Sequence, residues 1–130
     1  MSTKATRAPN RPPVLIRAGD GAHRNGPWSG SVSAEALGTD SFVLFARFDE
    51  VGSGPVLHVH PYDEIFVVKS GRAIFTVGDE TFEAGEGDVA MAPANTPHKF
   101  KNLGPGPLYT MDIHLNGEWI QTDLHDPDAG

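Results

Sequence analysis

Residues 52–71 read GSGPVLHVHPYDEIFVVKSG, with His58, His60 and Glu64 inside two short apolar runs separated by Pro61, Tyr62 and Asp63. Side chains on a strand alternate faces, and the backbone rises ~3.3 Å per residue. His58 and His60 therefore project from one face with Cβ atoms ~6 to 7 Å apart. Two imidazoles so placed converge on one ion at the ~2.0 to 2.2 Å typical of metal–nitrogen bonds. Pro61, Tyr62 and Asp63 carry turn chemistry, and Glu64 opens the next strand within reach of the same ion. Tyr62 and Asp63 are read as turn residues.

Outward from this stretch the chain is punctuated in the same way. Candidate strands run over 42–48, 56–60, 64–69, 72–77, 81–84, 88–92, 98–101 and 108–115, with a weak signal over 31–33 and a short candidate over 14–17. Between them lie Gly52-Ser-Gly-Pro, Ser70-Gly71, Gly78-Asp79, Gly85-Glu-Gly, Pro93-Ala-Asn and Gly104-Pro-Gly-Pro. Fifteen glycines and eleven prolines, set between runs of this length, indicate an all-β sandwich or barrel. No segment holds a helical period, so little helix is expected. Residues 1–13 are polar, basic and proline-rich and read as a flexible arm. Residues 14–120 form the β-domain, and 121–130 a mobile or loosely docked tail.

At 130 residues one domain is expected. The chain has no cysteine, which excludes disulfides, thiolate zinc sites and thiol nucleophiles. Any metal must be held by nitrogen and oxygen. Seventeen acidic residues against ten basic ones give a formal charge of -7, which disfavours nucleic acid and anionic membranes as partners. No apolar run reaches the ~18 residues of a membrane span, and no secretion signal is legible. A cytoplasmic address is the expectation.

Downstream, residues 87–102 (GDVAMAPANTPHKFKN) place His98 and Phe100 in phase, with Lys99 and Lys101 between them. That alternation sends the lysines to water and His98 inward. With this second stretch the chain resembles the cupin family. The first family motif is met at Gly52, His58, His60, Glu64 and Gly71. The second is met at Gly87, Pro93, His98 and Asn102, with Asn95 where the family has glycine. Asparagine is the non-glycine residue that best tolerates a left-handed backbone, so the turn is expected to survive.

The resemblance implies a cupin jelly-roll barrel with His58, His60, Glu64 and His98 as ligands of one divalent transition metal ion. Four protein ligands leave an octahedral ion two open positions. That suits iron, manganese, nickel or cobalt, with zinc also compatible. Glu64 is in addition a candidate for proton movement at the ion. The inward register names a pocket wall of Phe66, Phe75, Met91 and Phe100, with Arg47 as a candidate anchor for a substrate carboxylate.

The leading expectation is an enzyme of dioxygenase type acting on a small oxygenated organic molecule. The alternatives are a redox-neutral isomerase, lyase or cyclase, and a non-catalytic ligand-binding or sensor module. In TMDIHL the apolar Met111, Ile113 and Leu115 are expected to take the core, which puts His114 on the surface. His23 and His125 fall in loop and tail, and Trp28 and Trp119 read as packing anchors. The strands 56–60 and 64–69 are apolar on both faces through Leu57, Val59, Ile65 and Val67. An outer face of that kind needs a cover, and a homodimer is expected to supply it.

Overall fold

The computed structural model describes residues 11–20, 24 and 26–128. Ten strands and one short helix follow in the order β1 (Gly30–Val32), α1 (Ala34–Leu37), β2 (Phe42–Phe48), β3 (His58–Val59), β4 (Glu64–Ser70), β5 (Arg72–Val77), β6 (Glu80–Gly85), β7 (Val89–Ala92), β8 (His98–Asn102), β9 (Leu108–His114) and β10 (Thr122–Asp123). They form two five-stranded sheets, ordered β1-β2-β9-β4-β7 and β10-β3-β8-β5-β6, with every pairing antiparallel. This is the expected all-β jelly-roll architecture. The helix is a single turn capped by Ser33, whose hydroxyl accepts from the Ala36 amide, and stopped by left-handed Gly38.

Two of the strand expectations are corrected. Residues 14–17 form no strand, because among the described residues the run pairs with no sheet edge. The candidate over 56–60 contracts to two residues. Pro55 brings no amide to a ladder, and the Val56 carbonyl faces the His58 imidazole instead of a neighbouring strand.

The motif turns are fixed by backbone that most side chains resist. Gly71 has φ +91°, and a Cβ there would lie 2.5 Å from the Pro107 carbonyl oxygen. Asn95 adopts φ +62°, so the one departure from the motif keeps its left-handed turn. Its amide donates to the His60 carbonyl at 2.7 Å, tying the second motif to the first.

Between the sheets the barrel is divided lengthwise. One part is apolar, built by Phe66, Val68, Ala73, Phe75, Ala84, Ala92, Phe100 and Leu108. Phe66, Phe75 and Phe100 pack with ring centroids 5.1 to 5.6 Å apart, and burial of each ring contributes ~1.5–3 kcal/mol. The other part is polar and holds the histidines. Two register pairs set its position: His58 faces His98 across β3 and β8, and Glu64 faces His114 across β4 and β9.

The segment after residue 120 closes this polar part from one side. Thr122 and Asp123 pair with Val59 and His58, and Lys99 Nζ binds Asp126 at 2.5 Å. Lys99 is consequently buried, contrary to its expected exposure, because the tail covers the face to which strand alternation sends it.

Candidate metal centre

Each of the three motif histidines is held by its Nδ1. That atom contacts the Val56 carbonyl in His58 (2.5 Å), the Ile120 carbonyl in His60 (2.8 Å) and the Thr96 carbonyl in His98 (2.9 Å). A carbonyl only accepts, so each Nδ1 carries the proton and each Nε2 is left with a free lone pair. His60 and His98 present Nε2 3.1 Å from Glu64 Oε1. The ligand atoms of His58, His60, Glu64 and His98 all lie within 4.8 Å of one another, and all four residues are buried. His60 Nε2 is a buried nitrogen that makes no hydrogen bond among the described residues. Three imidazole nitrogens and one carboxylate oxygen, with one nitrogen orphaned, fit a divalent ion of borderline softness.

The electrostatics agree with that geometry. Burial pushes the Glu64 carboxyl up, but contacts with His114, His60 and His98 outweigh it and hold the group well below the ordinary carboxylate range. Burial lowers His58, with His98 and His60 adding to the effect. Burial also pulls His60 down, yet Glu64 and the Ile120 carbonyl reverse the balance and leave it raised.

The fourth histidine of this region corrects an expectation, since its sequence phase puts it on the surface. His114 is 2% exposed. Its Nε2 lies 3.1 Å from Glu64 Oε2, and its Nδ1 lies 2.7 Å from the Tyr62 hydroxyl. Its ring stacks on Phe42 at 4.4 Å. The cause is register: His114 is paired with the inward Glu64, so His114, Asp112 and Thr110 share the interior while Met111 and Ile113 face out. Tyr62 is likewise more than a turn residue. It is buried, stacks on His60, and its hydroxyl is pushed up to about 12, chiefly by burial. Asp63 keeps a turn role, accepting from the Ala94 amide at 2.8 Å.

His114 thus occupies Oε2 of Glu64 and leaves Oε1 to face the Nε2 atoms of His60 and His98. Replacing His114 by Phe preserves the stack on Phe42 and frees the carboxylate to rotate. Metal affinity measured by chelator competition is expected to fall ~10- to 100-fold, as for loss of an outer partner of a ligand, with the fold retained by circular dichroism. Unchanged affinity would show that Glu64 is held without it.

Beside these residues lies a cavity of about 410 Å³. His58, Glu64 and His114 form its polar side, Phe66 and Phe100 its apolar side, and Asp112 also lines it. Phe75 packs behind Phe66 and Phe100 rather than on the cavity wall. Arg47 and Met91 are corrected. Arg47 is exposed on the outward phase of β2 and pairs with Asp49 at 2.6 Å. Met91 is 49% exposed because it is paired with the outward Ile65.

Of the remaining aromatic and histidine residues, Trp28 packs edge-on against Phe45 and donates to the Thr110 carbonyl. Trp119 lies over Phe42 and His114. His125 is exposed in the tail, and His23 lies outside the described residues.

A jelly-roll barrel with three histidines and a glutamate converging at one end defines a class of metal-capable β-barrel proteins. The sequence matches the Cupin domain family over residues 45–114, more than half of its length, and the chain belongs to that family. Among curated proteins it is 42% identical over 59 residues to an uncharacterized protein of Methanocaldococcus jannaschii, a match covering 45% of this chain and 47% of that one. The chain spans about half the length of the curated relatives it matches first. Among solved structures it resembles the Mn(II)-containing oxalate decarboxylase of Bacillus subtilis, with TM-score 0.67 and 24% identity over 73% of this chain and 27% of the enzyme. It also resembles an uncharacterized conserved protein with a double-stranded beta-helix domain from Klebsiella pneumoniae. That TM-score is 0.60 at 26% identity, covering 67% and 76% of the respective chains.

Proposed function

We propose that this protein is a metal-dependent cupin enzyme for a small oxygenated organic substrate, with His58, His60, Glu64 and His98 as the protein ligands. The observation that carries this reading is the set of three Nδ1-anchored histidines whose ligand atoms cluster with that of Glu64 beside a cavity of small-molecule size. When bound, a divalent ion supplies Lewis acidity and open positions for substrate oxygens. Iron, manganese, nickel, cobalt and zinc are all compatible with the donor set.

The chain's own residues supply the rest. His114 fixes one oxygen of Glu64 so that the other keeps its direction. Phe66 and Phe100 exclude water from one side of the substrate. Oxidoreductase chemistry of dioxygenase type is the leading reading, since an N3O set leaves room for substrate and dioxygen together. A redox-neutral lyase, isomerase or cyclase is the second. The unbroken contact from Glu64 through His114 to the Tyr62 hydroxyl favours it, because that path can hold and pass a proton.

A homodimer is proposed to cover the outer face of β4 and β7, where Ile65 and Val67 adjoin Val89 and Met91 at 65% and 49% exposure. A cytoplasmic site of action without nucleic-acid partners completes the proposal. It rests on charge and the absence of cysteine. Among the described residues no helix is long and apolar enough to cross a membrane.

The test begins with elemental analysis of the purified protein. Oxygen uptake is then recorded with diketones, flavonols, catechols and keto acids after iron, manganese or nickel has been restored. Uptake with product formation is expected. Turnover without oxygen moves the assignment to the redox-neutral reading, and ligand binding without any turnover moves it to a sensor.

A further inference from the structure

Asp112 is a second polar pole of the cavity that the metal reading does not use. It lies on β9 two residues before His114 and is paired with Phe66, so it sits one inward step, ~6 to 7 Å, from the rung that holds Glu64 and His114. Its side chain lines the cavity together with Leu44, Phe66 and Phe100. It is 7% exposed, and among the described residues its Oδ1 has no hydrogen-bond partner. No cation pairs with it among the described salt bridges.

A carboxyl oxygen left without a partner in an apolar wall is costly to the fold. Burial and the neighbouring negative charge of Glu64 penalise its ionised form more than the adjacent Thr110 hydroxyl favours it. A structural position so surrounded would be filled better by leucine. The cost is recovered when a ligand brings the missing partner.

We propose that Asp112 anchors the substrate end remote from the metal, selecting a small chelating molecule that carries a hydroxyl group about one aromatic ring away from its chelating oxygens. The inference rests on the metal-site reading above and deepens it. Asp112 Oδ1 accepts a hydrogen bond from the hydroxyl group while the chelating oxygens face His58, His60 and Glu64. Phe66 and Phe100 flank the body of the molecule. Ligands lacking the hydroxyl leave the carboxyl unpaired and bind less tightly.

The probes are catechol and 4-(hydroxymethyl)catechol, titrated anaerobically into the cobalt(II)-loaded protein and followed by its visible absorption. In the wild type the hydroxymethyl compound is expected to bind about tenfold more tightly, the scale of one buried hydrogen bond regained. In Asp112→Leu the preference disappears with cobalt content unchanged, and in Asp112→Asn part of it remains. Asp112→Leu is also expected to raise the melting temperature of the loaded protein, whereas loss of a carboxyl with a structural role would lower it.

Failure of the wild type to bind cobalt overturns the metal reading and this inference together. Stoichiometric cobalt with equal affinity for the two catechols, or a preference that survives in Asp112→Leu, overturns the inference alone. A lowered melting temperature in both variants also overturns it.

Discussion

Replacing His60 by alanine is expected to abolish stoichiometric metal binding. His60 adjoins each of the other donors. Its ring lies 4.8 Å from that of His58 and 5.3 Å from that of His98, and its Nε2 is 3.1 Å from Glu64 Oε1. Its Nδ1 is fixed by the Ile120 carbonyl, so the lone pair is aimed before any ion arrives. Alanine leaves one fewer donor and opens a gap that water enters. The loss of affinity should exceed the ~10- to 100-fold that removal of an outer partner costs. Elemental analysis after gel filtration reads this directly, with a second readout in thermal unfolding. A metal present at ~100 times its dissociation constant stabilises the folded state by about 2.7 kcal/mol, and that increment should vanish in the variant. Full metal occupancy in His60→Ala would move the site elsewhere.

Much of this centre is legible in the sequence because its donors lie on strands whose phase the sequence marks. His58 and His60 alternate with Leu57 and Val59, and His98 alternates with lysines. Period-two patterning carries the face of each side chain. The strands 42–48 and 72–77 read with the bounds the structure gives. Their ends are set by local turn chemistry at Asp40, Gly71 and Gly78, which needs no tertiary information.

Strand β9 is where local reading failed, and the reason is physical. In Thr110-Met-Asp-Ile-His114 both phases are candidates, one polar and one apolar, and the usual preference buries the apolar one. That preference assumes an apolar interior. Here the interior at this level is the site, and the outward positions of β4, β7 and β9 at the same level are apolar, with Ile65, Val67, Met91, Met111 and Ile113. The deciding fact is that Glu64 pairs with His114 and Phe66 with Asp112. Pairing between strands separated by forty residues or more is not written in either strand alone. The misplacement of Met91 has the same origin, since its partner is the outward Ile65. Lys99 failed for a different reason: alternation was right about its face, but a tail segment distant in sequence covers that face.

The buried carboxyl of β9 leads to the second large effect, in the pH dependence of stability. Asp112 is pushed up to about 8, first by burial and then by the charge of Glu64, with the Thr110 hydroxyl pulling the other way. In the unfolded chain an aspartate loses its proton near pH 3.9. Between that pH and about 8 the folded state therefore holds a proton that the unfolded state has released. More protons bound in the folded state means that stability falls as pH rises through this window. The slope approaches 1.4 kcal/mol per pH unit for one group, a large fraction of a typical domain's total.

Glu64 acts in the opposite sense. Its lowered value makes a contribution that is present at neutral pH and is lost on acidification below the ordinary carboxylate range. His58, lowered by burial, and His60, raised by Glu64, add their own dependence, so the wild-type profile alone does not isolate Asp112. The difference between wild type and Asp112→Asn does. In urea unfolding of the chelator-stripped protein at pH 5, 6, 7 and 8, the variant's advantage is expected to grow steadily with pH, because the amide has no proton to lose. A difference that stays flat across that range would mean that Asp112 is ionised and satisfied in the folded state. The second pole of the cavity would then already have its partner within the protein, and no substrate hydroxyl would be needed to supply it.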